Sequence, residues 1–488
     1  MRAPESIRLR CGPRSNPAAR AGLPHRASHL AGEPVVFWNS QERRFWYALC
    51  LDVCALFFDA RMMSPFTPLP YRRSASLAVC LILTNFGVYC GAAVSSMEWP
   101  QFRGPRGDGT SLVQQVPTQW SDEKNVAWKV ELPGAGWSSP VLAGGKIFLT
   151  AAVFGDGYAA TLNVLCLDQG SGQILWNREV FRPEAAEAKK MHRKNTAASP
   201  TAIVEDGRIY AHFGHLGTAA LDLEGKVLWK QESLKYTPVH GTGGSPALAD
   251  GLLFFSADGK EDPFVAGLDA RNGQVRWKTG RNTPAKKNFS FSTPQIIEVL
   301  GEKQVISPGS GFVAAYRPGD GTEIWRVHYG EGYSVVPRPV YAHGLLFLGT
   351  GFDSAMLYAI RPEGAKGDVT ETQVAWTLKK GAPHTPSVLV VGDLLFCVSD
   401  AGIASCVEAK TGEVVWSERL GGNFSASPVY AAGRIYFQNE TGSTFVIKPT
   451  RQFELLFTNE IGERTLASPA PAEGSLFIRG ERHLFKIQ

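Results

Sequence analysis

The chain has 488 residues, of which only 19% are charged, with 51 Gly and 31 Pro; that balance suits many strands joined by tight turns and speaks against a helical or disordered protein. The formal net charge of +5 is concentrated at the front: residues 1 to 75 hold 11 Arg and no Lys against 5 acidic residues, so the remainder carries 39 basic and 40 acidic residues. A nearly neutral body has no general attraction for a polyanion, which argues against DNA or RNA as the partner.

Residues 1 to 61, rich in Arg and Pro, read as a non-structural extension, with translation starting at Met62 or Met63. Residues 62 to 96 read as a secretory signal: Tyr71-Arg72-Arg73 precedes an apolar run from Leu77 to Val88, followed by Gly91, Ala92, Ala93 and Ser95. An uncleaved anchor is the alternative, and the only membrane association expected. Five of the eight cysteines (Cys11, Cys50, Cys54, Cys80 and Cys90) fall in this leader, and the bulky Tyr89 before Cys90 argues against lipidation. Residues 97 to 124 form a lead-in.

From residue 125 onward a repeat dominates. Ser139-Pro140, Ser199-Pro200, Ser245-Pro246, Thr293-Pro294, Arg338-Pro339, Thr385-Pro386, Ser427-Pro428 and Ser468-Pro469 open successive units, with prolines 60, 46, 48, 45, 47, 42 and 41 residues apart. Trp176, Trp229, Trp277, Trp325, Trp376, Trp416 and Phe457 close the first seven. A period of 40 to 50 residues with four short strands in each predicts an all-β propeller of four-stranded antiparallel blades. In the sixth unit the strands are expected at 386–391, 394–399, 403–408 and 413–416. The turn before the aromatic needs a Gly at positive φ, as in Asp168-Gln169-Gly170-Ser171-Gly172. Strand alternation then turns each aromatic toward the next blade, where truncation to Ala is expected to cost roughly 3–5 kcal/mol.

The eighth unit ends after its third strand at 483–487, while Asn125-Val126-Ala127-Trp128-Lys129-Val130 is a fourth strand with nothing before it. The two ends are therefore expected to complete one blade, giving eight blades over residues 125–488 and no exposed edge at the seam. The Asp-x-x-x-Gly-x-x-x-Trp turns and Ser-Pro strands resemble the PQQ-like propeller repeat family over this span. Its members include quinoprotein dehydrogenases using pyrroloquinoline quinone and calcium, and non-catalytic propellers similar to the BamB scaffold of outer-membrane assembly. The lead-in Trp99-Pro100-Gln101-Phe102-Arg103-Gly104-Pro105-Arg106-Gly107-Asp108-Gly109 resembles the segment before such propellers in secreted bacterial proteins, notably of planctomycetes.

A dehydrogenase of that family is expected to show adjacent cysteines, a carboxylate base beside calcium ligands, and long enclosing loops; no two cysteines here are adjacent and the blades are short. No Gly-x-Ser-x-Gly elbow, His-Glu-x-x-His or phosphate-loop pattern occurs. His212 and His215 read as a polar turn rather than a metal pair, and Asp258, Glu261 and Asp262 as a solvated turn, so no metal is assigned. Cys397 and Cys406 form a cross-strand disulfide if the intervening turn has two residues; a bulge at Gly402 sends them to opposite faces instead.

The turns between second and third strands emerge on the same face as the connections between blades, around the channel mouth. There His192, Lys194, Asn195, His215, His240, Phe289, Tyr333, His384 and Asn423 are the candidate binding residues, with Lys189, Lys190, Arg193, Lys286, Lys287, Lys379 and Lys380 making the rim basic. The resulting expectation is an exported, monomeric envelope scaffold that takes a protein or peptide partner and no cofactor. The alternative is a pyrroloquinoline-quinone and calcium dehydrogenase or its degenerate descendant. A carbohydrate-binding or lytic accessory module is a third reading to which no residue is assigned.

Overall fold

The computed structural model describes residues 98–488 apart from 156–157, 189–190, 284 and 354. The readings made on residues 1–97, namely the start site, the signal and its alternative anchor, lie outside them, as do Lys189 and Lys190. Among the described residues no helix is long and apolar enough to cross a membrane.

Eight antiparallel sheets make the ring. Blade 1 comprises Val141–Ala143, Lys146–Gly155, Tyr158–Asp168 and Ile174–Phe181, and the pattern recurs to blade 7 at Val429–Ala431, Arg434–Gln438, Ser443–Ile447 and Leu455–Glu460. The innermost strands are mostly three residues long, and the middle two are almost wholly buried, as in Leu394–Val398 and Phe312–Tyr316, because a neighbouring blade covers each face. Blade 8 consists of Ala470–Ala472, Ser475–Arg479, His483–Ile487 and, on its outside, Val126–Glu131. Val126 pairs with Ile487 and Trp128 with Lys486, so the two ends of the ring close as one sheet.

The aromatic of each outer strand is aimed by more than alternation. In every blade the pairing of third and fourth strands slips by one residue beside the aromatic, between Cys166 and Leu167 or Cys406 and Val407 for example. This recurrent β-bulge turns the ring off its own sheet. The Trp176 indole N–H then donates to the Leu223 carbonyl of blade 2 at 3.1 Å, and that of Trp376 to the Ala409 carbonyl of blade 6 at 3.0 Å. Gly172 and Gly412 have φ of +76° and +78°, and a Cβ on either would lie under 3 Å from the Trp128 or Trp376 ring. Those turns thus need glycine twice over, for backbone sign and for the indole that seats on it.

Blade 4 departs from the pattern. The 13-residue connection 361–373 of blade 5 replaces the tight turn on which Trp325 would sit, and the indole donates instead to Gln304 Oε1 at 2.9 Å within its own blade. Part of that connection, Gly367–Asp368, adds a parallel strand to the outer edge at Trp325 and Arg326. In blade 6 the observed strands are Leu389–Val391, Leu394–Val398, Ile403–Glu408 and Val414–Arg419. Cys397 there pairs with Ser405 and Cys406 with Phe396, so the thiols point to opposite faces and both are free. The disulfide alternative is therefore corrected: Gly402 at φ +80° lengthens the turn and shifts the register by one.

Candidate functional site

A hydroxyl collar lines the channel. A Ser or Thr beside the strand-opening proline, before it at Ser245, Thr293, Ser427 and Ser468 and after it at Thr201 and Ser387, accepts through its hydroxyl oxygen a backbone N–H of the preceding blade. Ser139 N–H donates to Thr201 Oγ1 at 2.9 Å, Thr201 N–H to Ser245 Oγ at 2.8 Å, and Ser245 N–H to Thr293 Oγ1 at 2.9 Å. The series resumes from Ser387 to Ser427 and from Ser427 to Ser468 at 3.0 and 2.9 Å. Linking each blade to the next, these bonds explain why a Ser or Thr recurs beside the proline.

Arg338 interrupts the collar. Its guanidinium turns beneath the ring, where Nη1 donates to the Phe102 carbonyl at 2.6 Å and Nη2 to Gln101 Oε1 at 3.3 Å. Arg103, also fully buried, donates to the Val388 carbonyl at 2.6 Å and to the Pro428 carbonyl. Trp99 pairs with Leu142, and Thr110 with Tyr430. The lead-in therefore crosses under the inner strands as a plug, and Phe102 forms part of the floor of the channel cavity. What remains is a dead-end cup of about 320 Å³ open on the loop face.

Above the collar the walls are aromatic. Trp137, Phe291, Tyr333 and Phe352 line the cup with His192 and His240. Phe289 stands behind them, its ring 5.2 Å from that of His240 and 5.4 Å from that of Tyr333, both edge-on. Partial burial and the neighbouring His192 hold the His240 imidazole below its ordinary pKa. One connection reaches over the mouth: Lys194, between blades 1 and 2, places Nζ 2.6 Å from Glu440 Oε1 of blade 7, and Ser425 Oγ donates to the same oxygen at 2.6 Å.

The structure brings five of the nine proposed mouth residues, His192, Lys194, Asn195, His240 and Tyr333, into the cup wall. His384 lies one layer out with its ring edge-on to Phe352 at 4.9 Å, and Asn423 is exposed on the rim. His215 does not reach the mouth. It is buried against Tyr236, and burial lowers its pKa to about 4. His212 is also buried, with Nδ1 2.8 Å from Thr218 Oγ1, and burial takes it to about 3. The expectation of a basic rim is corrected in part: Lys194 is paired with Glu440, and Lys287 with Asp353 at 3.1 Å. Asp258 is no solvated turn either, because it is buried 2.5 Å from Arg281. Burial alone would lower the Arg281 pKa, and the Asp258 carboxylate more than reverses that.

Sequence reasoning passed over Phe102, Phe291, Phe352 and the two arginines that seat the plug. The signal that could have found them is Arg338, the one charged residue at a position otherwise held by Ser or Thr.

Comparison with known proteins follows the same lines. A family model, PQQ_2, described as outer membrane protein assembly factor BamB, matches residues 107–239, 164–388 and 365–451. The outer membrane protein assembly factor BamB of Shewanella oneidensis is 24% identical over 229 residues, 43% of this chain and 52% of that protein, so the chain spans about half the length of this relative. Among solved structures, BamB from Moraxella catarrhalis superposes with a TM-score of 0.51 at 13% identity, covering 74% of this chain and 99% of that one. A europium-containing methanol dehydrogenase gives 0.60 at 13% identity, covering 80% and 90%. At such identities the superpositions speak for the fold alone, whereas the family model spans most of the repeats: the chain belongs to the PQQ-like propeller family described as outer membrane protein assembly factor BamB.

Proposed function

We propose that this propeller is an exported binding scaffold of the cell envelope that engages a protein partner through its loop face and carries out no reaction of its own. The carrying observation is the donor set of the cup. Among the described residues none that lines it is Asp or Glu, and its only Lys or Arg is Lys194, which already pairs with Glu440. Calcium requires clustered oxygen ligands including carboxylates, and an orthoquinone tricarboxylate requires converging cations. The residues present do not fit that pair of groups. They fit a rigid receptacle with aromatic walls and hydroxyl groups, of the kind that fixes a partner by shape and a few hydrogen bonds.

Kinship with BamB supports a protein partner and export to the envelope. The test is affinity capture from native envelope with the full chain as bait, alongside titration with pyrroloquinoline quinone and calcium under an artificial electron acceptor. Stoichiometric recovery of β-barrel assembly components is expected. Dye reduction coupled to alcohol or sugar oxidation would overturn the scaffold reading.

A further inference from the structure

Four collar hydroxyls are left with unused protons. Thr201, Ser245, Thr293 and Ser468 are at least nine-tenths buried, line the cup, and commit an oxygen lone pair to a backbone N–H at 2.8–2.9 Å. Among the described residues no protein atom accepts their own O–H. A hydroxyl whose acceptor side is occupied serves its surroundings as a donor, and a buried donor without an acceptor is costly. The cup lining thus carries a crown of hydroxyl donors contributed by blades 2, 3, 4 and 8.

Charge behind the crown has the matching sign. Arg103 and Arg338 are both fully buried, bonded only to carbonyl and amide oxygens, and neither has a carboxylate within ion-pair distance. Burial lowers the Arg338 pKa to about 9 and the Arg103 pKa to about 10; the charge of Arg103 adds to the effect at Arg338, and the Asp108 carboxylate works against it at both. Both remain cationic at neutral pH. Arg338 Nη1 is bonded to the backbone carbonyl of Phe102, so this charge lies against a residue of the cup lining. An anion over the crown would add to the partial compensation that Asp108 gives these two guanidiniums.

We infer that the cup is a receptor for a single carboxylate carrying an apolar body: the anionic head hydrogen-bonds to the Thr201, Ser245, Thr293 and Ser468 hydroxyls above the buried Arg103 and Arg338, and the body packs against Phe291 and Tyr333. This names the ligand chemistry of the loop-face site and rests on the binding reading given above. Two sources supply that chemistry, a free organic acid and the C-terminus of a polypeptide ending in an apolar residue.

The experiment is calorimetric titration of the full chain with 3-phenylpropionate, its neutral amide, and a pentapeptide ending in Phe as free acid or C-terminal amide. The acids are expected to saturate, with each amide bound at least about tenfold more weakly. Thr293→Val and Ser468→Ala should weaken the acids about tenfold while moving the amides little, because a charged acceptor loses more than a neutral one when a donor is removed. Leu455→Ser on the outer edge serves as a folded control, and thermal unfolding confirms that each variant is native. A peptide acid bound tenfold tighter than 3-phenylpropionate identifies a chain terminus as the ligand, and the reverse identifies a free acid; either supports the inference. Amides binding as tightly as acids, or no acid saturating by about 10 mM, overturns it. Envelope capture that succeeds while every acid fails would sink this inference alone, and the opposite result would sink only the scaffold reading.

Discussion

His212 shows how a single buried side chain ties stability to pH. Its imidazole is held neutral in the folded ring down to about pH 3, while in the unfolded chain it takes up a proton near pH 6.5. Between those values the unfolded state binds more protons, so stability is complete above about pH 6.5 and falls as the pH drops. At pH 4.5 the loss from His212 is roughly 2–3 kcal/mol, with His215 adding in the same direction. Denaturant melts at pH 7.5 and 4.5 should show this, and His212→Asn should flatten the pH dependence even though it lowers stability at pH 7.5. An unchanged slope would show that the ring is charged in the native protein. The cysteines make a second case at this scale: burial pushes Cys397 and Cys406 up to about 12 and Cys166 to about 11. Native protein at pH 8 should leave all three unlabelled by a thiol reagent, and denatured protein should label all three.

At the level of the element, the unit of cohesion is an indole on one blade seated on a turn of the next. Gly412→Ala must both hold a left-handed backbone and push into Trp376, so a loss of about 2–4 kcal/mol is expected. Gly392→Ala is the matched comparison, with φ of +58° and open space around it, and should lose only about 1–2 kcal/mol. Equal midpoints in urea for the two variants would show that the stacking adds nothing. Much of this element was legible in advance, because Ser-Pro and Asp-x-x-x-Gly-x-x-x-Trp recur and a repeat reports the same local physics many times. The disulfide alternative failed because it hung on one turn length, and a single inserted residue reverses every side chain beyond it. The replaced turn in blade 5 was hidden for a similar reason: its strand pairs with a different blade, and no local pattern in 361–373 reveals a parallel partner forty residues earlier.

For the whole molecule, blade count and closure could be read from arithmetic, since seven complete units plus two fragments sum to a ring. The cup could not. Its floor depends on bonds between residues far apart in the chain, Arg103 with Pro428 and Arg338 with Phe102, and on the direction in which buried cations point. Removal of residues 120–132 deletes the outer strand of blade 8 and exposes the edge of His483–Ile487. The shortened protein is expected to aggregate or oligomerise, read by light scattering, whereas a stable monomer would show that the seam does not hold the ring.

The seam also sets the order in which the fold can be finished. Val126 meets Ile487 only when nearly all of the polypeptide has been made, so the earliest strand must wait, unsatisfied, through the synthesis of everything between them. Seven sheets can assemble as local hairpins during that interval, but the circle locks in one late event of very high contact order. This architecture withholds the closing step until His483–Ile487 is available to pair.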